Sequence, residues 1–325
     1  MRFHRAKIVG TNVDPETYHA TNIARGKPGR PMSRSSLCLF AECPNKWLNG
    51  FERKDTDSTE WGELIDTLAL QLSRLNDRYV VTPDTYPDKA GNPKQWNWNA
   101  NFCDEWRKEQ APRICLKPSE MKAAGQAVEG LRLDQEVRYV LDTSDKQVMV
   151  MAEYRDRETG LVIPVQTLID IVPLAQSMHA QSLADLKTSF TASGRRWNRI
   201  CYERGYHVQA ALSLDLYNAA SGEKRDSFFH IVQENFEPYH IATPLPMLSQ
   251  EFIELGRKFY QQALRDYCQC LKSGEWPSYA PANTVIDPFQ MIEPEAWMDG
   301  VRAMFQSINP VAPLQDAIEN LTYLQ

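Results

Sequence analysis

The feature that most constrains this chain is a run of apolar segments in its second half. Val148-Met-Val-Met-Ala-Glu-Tyr154 is followed by a turn at Arg157-Glu-Thr-Gly160, then by Leu161-Val-Ile-Pro-Val-Gln-Thr-Leu-Ile-Asp-Ile-Val172. Two apolar, β-branched arms around a Gly-containing turn predict a β-hairpin. Ser182–Thr188 reads as a third strand, and Ser227–Phe236 and Tyr239–Ala242 as two more. Helical spacing marks 33–50 behind a Ser33 cap, 58–78 with its stripe Trp61, Leu64, Ile65, Leu68, Ala69 and Leu72, a short helix at Trp96–Trp106, and then Ser119–Leu133, 194–219 and Gln250–Lys272. Residues 82–100, rich in Pro, Asp, Asn and Gly, read as loop. Helices, then strands enclosing one helix, then a closing helix predict an α+β fold with a central mixed β-sheet flanked by helices.

The chemistry sits on those strands. Asp170 interrupts the apolar run Thr167–Pro173, and Asp185 and Lys187 lie two residues apart in the next strand, on one face. A carboxylate among aliphatic side chains is costly unless it has a partner. Two readings satisfy that demand. One is a buried Asp–Lys salt bridge with no catalysis. The other is a divalent cation shared by Asp170 and Asp185, with Glu153 of the preceding strand as a third carboxylate. A hard cation such as Mg2+ takes oxygen ligands and lowers the pKa of a bound water, and Lys187 would position that water and stabilise charge on a phosphate. Four such residues on apolar strands favour the metal site.

Ile169-Asp170 followed by Asp185-Leu186-Lys187, with Glu153 upstream, resembles the signature of the PD-(D/E)XK nucleases. Gln209 on the next helix fits the accessory glutamine of their RecB-like branch. Ser33–Leu48, ending Cys-Pro-Asn-Lys-Trp-Leu, is similar to the family's entry helix, and Trp61-Gly-Glu-Leu-Ile-Asp66 to its Gly-x-x-x-His helix. The Trp-rich stretch Trp96–Leu133 and Tyr206-His-Val-Gln-Ala-Ala211 resemble the RecE-like (exonuclease VIII) nuclease domain, so that the likeness extends over roughly residues 15–275. The resemblance implies a deoxyribonuclease dependent on Mg2+ or Mn2+ that degrades linear double-stranded DNA from 5′ ends. It also implies a ring-shaped homo-oligomer working with a single-strand annealing protein, as in phage or prophage recombination. Carried over, Asp170 and Asp185 bind metal, Glu153 assists, Lys187 activates water, and Gln209 orients Lys187 or a phosphate.

The chain departs from that pattern in places. Ile169 replaces the usual proline. Asp66 stands where the family usually has His, and is either a further metal ligand or a surface carboxylate. Ser213 takes the place of a frequent Tyr, whose contact Tyr217 could supply. Cys43 matches one cysteine of the iron–sulfur relatives and Cys268 and Cys270 offer two more, but the missing fourth ligand argues against a cluster. Same-class alternatives are a RecB-like endonuclease or single-strand nuclease; the alternative of another class is a non-catalytic DNA-binding or interaction protein.

Charge is uneven along the chain. The formal net charge is −6, which taken whole argues against coating nucleic acid. Yet residues 1–50 carry eight basic and three acidic side chains, whereas 281–325 carry one basic and six acidic. The Gly/Pro-rich loop with Arg25, Lys27, Arg30 and Arg34, and Arg195, Arg196 and Arg199 near a helix start, are the candidate phosphate contacts. No base-reading motif accompanies them, so sequence-independent binding to double-stranded DNA ends is expected. Trp96, Trp98 and Trp106 suit core packing better than a stacking platform. The organisation expected is a helical N-terminal part of the nuclease domain (1–145), the catalytic core (146–280) and an acidic C-terminal extension (281–325). No apolar run spans a membrane, no signal core follows Met1, and seven cysteines in no regular framework predict reduced thiols in a cytoplasmic protein.

Overall fold

Strand β1 (Phe3–Gly10) is followed by helices α1 (Arg34–Glu42), α2 (Asp57–Leu70), α3 (Pro118–Leu133) and α4 (Gln135–Asp142). Then come β2 (Ser144–Arg155), β3 (Val162–Pro173), β4 (Ser182–Ser189), α5 (Gly194–Glu203), α6 (Tyr206–Ser221), β5 (Ser227–Glu234) and α7 (Gln250–Ser273). The computed structural model describes residues 3–51 and 57–279, so the acidic segment 281–325 lies outside the described residues. Up to Tyr279 the described residues form one compact unit.

Among the described residues five strands make the central sheet, in the order β1-β2-β3-β4-β5. The pairs β1–β2, β2–β3 and β3–β4 are antiparallel. β4 and β5 are parallel, because α5 and α6 carry the chain back between them. The sheet is therefore mixed and flanked by helices. Its hairpin runs from Arg155↔Val162 to Ser144↔Pro173, so Asp170 falls between the pairs Val148↔Ile169 and Lys146↔Ile171, level with Gln147. β3 meets β4 at Ile171↔Ala184. Further along β3, Met32 is the neighbour: its N–H donates to Pro164 O at 2.9 Å and its carbonyl accepts from Gln166 N at 3.0 Å. That bridge fixes the start of α1, which Ser33 caps by accepting from Ser36 N.

Two apolar layers cover the sheet. On one side α1, α6 and α7 pack on Val148, Val150, Ala152, Ile163, Val165, Leu183 and Phe228. On the other, α2, α3 and α4 pack on Ile171, Ala184, Leu186, Phe229 and Ile231. α6 is buried on nearly all sides, as expected of a helix between a sheet and a second helix. Gly256 of α7 makes the closest approach: a Cβ there would sit 2.1 Å from the carbonyl oxygen of His207. Gly62 lets α2 reach β4 in the same way, with a Cβ only 3.2 Å from Thr188 Oγ1.

Several elements differ from expectation. The N-terminal part contributes the edge strand β1, whose register shifts between His4 and Lys7 and again between Ile8 and Gly10. The helix expected over 58–78 ends at Leu70, and α4 follows the helix expected at 119–133. The strand expected at Tyr239–Ala242 reduces to isolated bridges, Gln233↔Ile241 and Phe229↔Met247, by which the segment 240–248 runs along the outer side of β5. Within the expected loop 82–100, Thr85–Pro87 pairs with Pro93–Gln95. Trp96 packs edge-on against Trp98 and Trp106, a small aromatic core of its own.

Candidate active site

The strands bring Asp170, Asp185 and Lys187 together where β3, β4 and α6 meet. The Asp185 side chain is 1% exposed and ion-paired through Oδ2 with Lys187 Nζ, while its Oδ1 accepts from Gln209 Nε2 at 2.7 Å. Lys187 Nζ is also 3.9 Å from Asp170 Oδ2 and 5.3 Å from the centre of the Tyr206 ring. Asp170 Oδ2 accepts from the backbone N–H of Leu186 at 3.2 Å, and its Oδ1 from Gln147 Nε2 at 3.3 Å. Gln209 is bonded on both sides, because its Oε1 accepts from Arg34 Nη2 at 3.3 Å. Arg34 in turn donates to Arg204 O and lies over Tyr206. A continuous chain thus runs from the start of α1 through α6 to the buried carboxylate of β4.

The charges interact strongly. Burial, followed by the negative charge of Asp185, holds the Asp170 carboxyl well above its ordinary value. Burial alone would raise Asp185 too, but the Lys187 ammonium keeps it below the usual range. Lys187, despite burial, is driven above the ordinary lysine value by Asp185 and Asp170 and stays an ammonium. Asp66, reaching the cluster from α2, is raised to about 7 by burial, with Asp185 and Glu63 adding to it against Lys187 and Arg78.

Of the residues singled out from sequence, Asp66, Asp170, Asp185, Lys187, Gln209 and Arg34 are brought together. Glu153 is not. It pairs across the hairpin with Pro164, six residues along β2 from the level of Asp170, or about 20 Å. Its carboxylate is met by Arg5 at 3.2 Å. Gln209 orients Asp185 rather than Lys187. Ser213 hydrogen-bonds Thr167 on β3 at 2.8 Å, and Tyr217 turns to Glu223 and Arg225, so neither supplies the aromatic contact; Tyr206 does. Arg25 and Arg30 stitch their own loop: Arg25 donates to Trp47 O and Phe51 O at 2.6 and 2.8 Å, and Arg30 to Ile23 O at 2.6 Å. Lys27, Arg195, Arg196 and Arg199 are exposed, with Arg199 bonded to Glu203. Cys43, Cys268 and Cys270 are buried free thiols.

Sequence reasoning missed three residues of the site. Gln147 could have been found by counting outward from the turn at 157–160, which sets it opposite Asp170. Tyr206, at the first turn of α6, carries no signal of its own. His230 lies opposite Asp185 in the β4–β5 ladder, fully buried and ringed by Trp197, Tyr206 and Phe228. Burial lowers it to about 4, so it is neutral. A histidine inside an otherwise apolar strand was its visible sign.

The strand pair carrying two acids and a lysine defines a class, and the chain belongs to it: residues 33–286 match the family described as PDDEXK-like domain of unknown function (DUF3799). Among solved structures, it is similar to a protein of Eubacterium rectale described as a candidate exonuclease, with 16% identity, 89% of this chain and 98% of that chain covered, and a TM-score of 0.53. This likeness is one of fold. A match to Candida albicans Rai1 in complex with pU5 and Mn2+, with 11% identity over 73% of this chain and 66% of that chain and a TM-score of 0.25, carries no structural argument. No curated protein matches the chain.

Nucleases of this fold generally use divalent metals such as Mg2+ or Mn2+. Among the described residues no group of three or more acid, histidine or cysteine side chains is already gathered tightly enough to coordinate an ion. The donor set nonetheless suits one. Gln147 Oε1, level with Asp170, is buried with no hydrogen-bond donor, and three mutually repelling carboxylates supply hard oxygen ligands. Among the described residues no helix is long and apolar enough to cross a membrane.

Proposed function

We propose that this protein is a metal-dependent deoxyribonuclease that digests linear double-stranded DNA from its ends, in the manner of the RecE-like exonucleases. One observation carries the reading. Asp185, wholly buried, is held by Lys187 on one oxygen and by Gln209 on the other, beside Asp170, whose carboxyl is kept high by burial and then by the charge of Asp185. A purely structural ion pair would not need a second acid at close range on the neighbouring strand and a third from α2.

Asp170 and Asp185, with Asp66, would hold Mg2+ or Mn2+. Bound there, the ion supplies charge neutralisation at the scissile phosphate and a water of lowered pKa. The chain's own residues do the rest. Lys187, an ammonium, cannot take the water's proton; it donates, positioning the attacking oxygen and stabilising charge that develops on the phosphate. Gln209 fixes the Asp185 carboxylate, and Tyr206 packs over Lys187. Lys27, Arg195, Arg196 and Arg199 offer positive charge to the DNA backbone without reading bases. A ring-shaped homo-oligomer and a single-strand annealing partner belong to the same reading, as does a cytoplasmic location. So does a division into 1–145, 146–280 and an acidic 281–325.

The test is Mg2+-dependent digestion of end-labelled linear duplex, closed circular duplex and single strands, with Asp185→Asn as control. Loss of linear duplex alone is expected. Cutting of circles would instead make the protein an endonuclease, and preference for single strands a single-strand nuclease. No metal-dependent cleavage beyond that of the control would leave a DNA-binding or interaction protein on a nuclease fold.

A further inference from the structure

A cavity of about 880 Å3 opens beside the site, and its lining, which also includes Glu42 and Glu203, holds two contrasting parts. One part is polar and cationic, formed by Ser33, Arg34 and Ser36 at the start of α1, where Arg34 reaches Gln209. Another is apolar, formed by Tyr202, Leu255 and Phe259, which are 59%, 44% and 38% exposed. Exposed apolar groups gathered in a cavity beside a reactive centre call for a ligand that covers them.

The Tyr202 ring is held in place by stacking. It lies 14° from parallel to the His207 ring, with centroids 5.3 Å apart, and His207 lies 5° from parallel to Phe252 at 4.8 Å. His207 is only 4% exposed. Two residues after Tyr202, the carbonyl of Arg204 accepts from Arg34, so the ring and the guanidinium are tied to one short stretch of chain.

We propose that Tyr202 is a nucleobase-stacking platform, on whose open face the base of the terminal nucleotide lies while its phosphate side turns towards Arg34. The inference rests on the nuclease reading and deepens it. A nucleotide has an apolar, π-faced end and an anionic end, matching the two parts of the lining. Stacking accepts any base and needs no hydrogen bond to its edge.

The experiment uses the full-length protein and a linear duplex with 2-aminopurine as its terminal base. With Ca2+ in place of Mg2+, its fluorescence is quenched on binding to the wild type. Tyr202→Ala loses the quenching and raises KM about tenfold, with a smaller effect on kcat, and Tyr202→Trp restores both. Thermal melting establishes that both variants are folded. A Tyr202→Ala protein with wild-type KM and quenching, while the wild type cleaves, overturns the platform and leaves the nuclease standing. A fall in kcat with quenching intact also overturns it, as a merely structural role for the ring. A wild type that neither binds nor cleaves DNA overturns both readings.

Discussion

The approach of α7 to α6 can be tested with one methyl group. In Gly256→Ala the new Cβ would lie 2.1 Å from His207 O, 2.5 Å from His207 C and 2.9 Å from Val208 N. An ordinary contact needs about 3.5 Å, so the helices must separate by roughly 1.4 Å. All three obstructing atoms are backbone, and no rotamer change relieves them. Overpacking costs ~1–3 kcal/mol where side chains can adjust; here the cost should be at least ~3 kcal/mol. At ~2–4 °C per kcal/mol for a domain of this size, Tm should fall by about 6–12 °C. Because Gln209 is two residues from His207, activity below Tm should fall as well. Gly125, exposed in α3 with nothing within 4 Å of its added Cβ, is the control: Gly125→Ala should stabilise by ~0.5–1 kcal/mol. Calorimetry reads both. A Gly256→Ala protein melting within about 1 °C of wild type, or equal losses in the two variants, would refute the close approach.

Three further outcomes follow from the site. Lys187→Ala should lower kcat by at least about 10²-fold and reduce Tm by stranding Asp185, whereas Glu153→Gln, remote from the cluster, should leave kcat within about twofold; nuclease assays on both variants decide. Asp66 is raised to about 7, so the folded protein keeps a proton that the unfolded chain releases, and metal-free stability declines as pH rises from about 4 towards 7. Mg2+ binds the ionised form, so its stabilising shift in Tm should be larger at pH 8 than at pH 5.5, and equal shifts would contradict the coupling. Arg25→Ala should lower Tm through two lost carbonyl bonds, whereas Arg195→Ala should leave Tm unchanged and flatten the salt dependence of DNA binding, read by titrations at several salt concentrations.

Much of this was legible because burial writes itself into local pattern. The apolar arms around 157–160 marked the hairpin, and acids embedded in them marked the site, since an uncompensated buried carboxylate has few explanations. What stayed hidden depends on register and on contacts distant in sequence. Glu153 has the right residue type on the right strand but lies six positions from where the hairpin sets Asp170. β1 escaped notice because it is largely exposed and lacks alternation. Arg25 and Arg34 look equivalent in one basic loop; only the Met32 bridge to β3 decides that Arg34 reaches the site while Arg25 closes the loop on Trp47.

The two sides of the sheet also govern how copies of this protein can meet. On β5 the segment 240–248 already takes up outward N–H and C=O groups, with His230, Leu248 and Ala242 among the donors. On β1 two register shifts break the even spacing a further strand would need, and Arg5 there has a φ of 47°. Among the described residues, neither margin offers an evenly spaced ladder for a neighbouring molecule to continue. Contacts between copies made by side chains on helices and loops would be separable from the sheet by surface substitution alone.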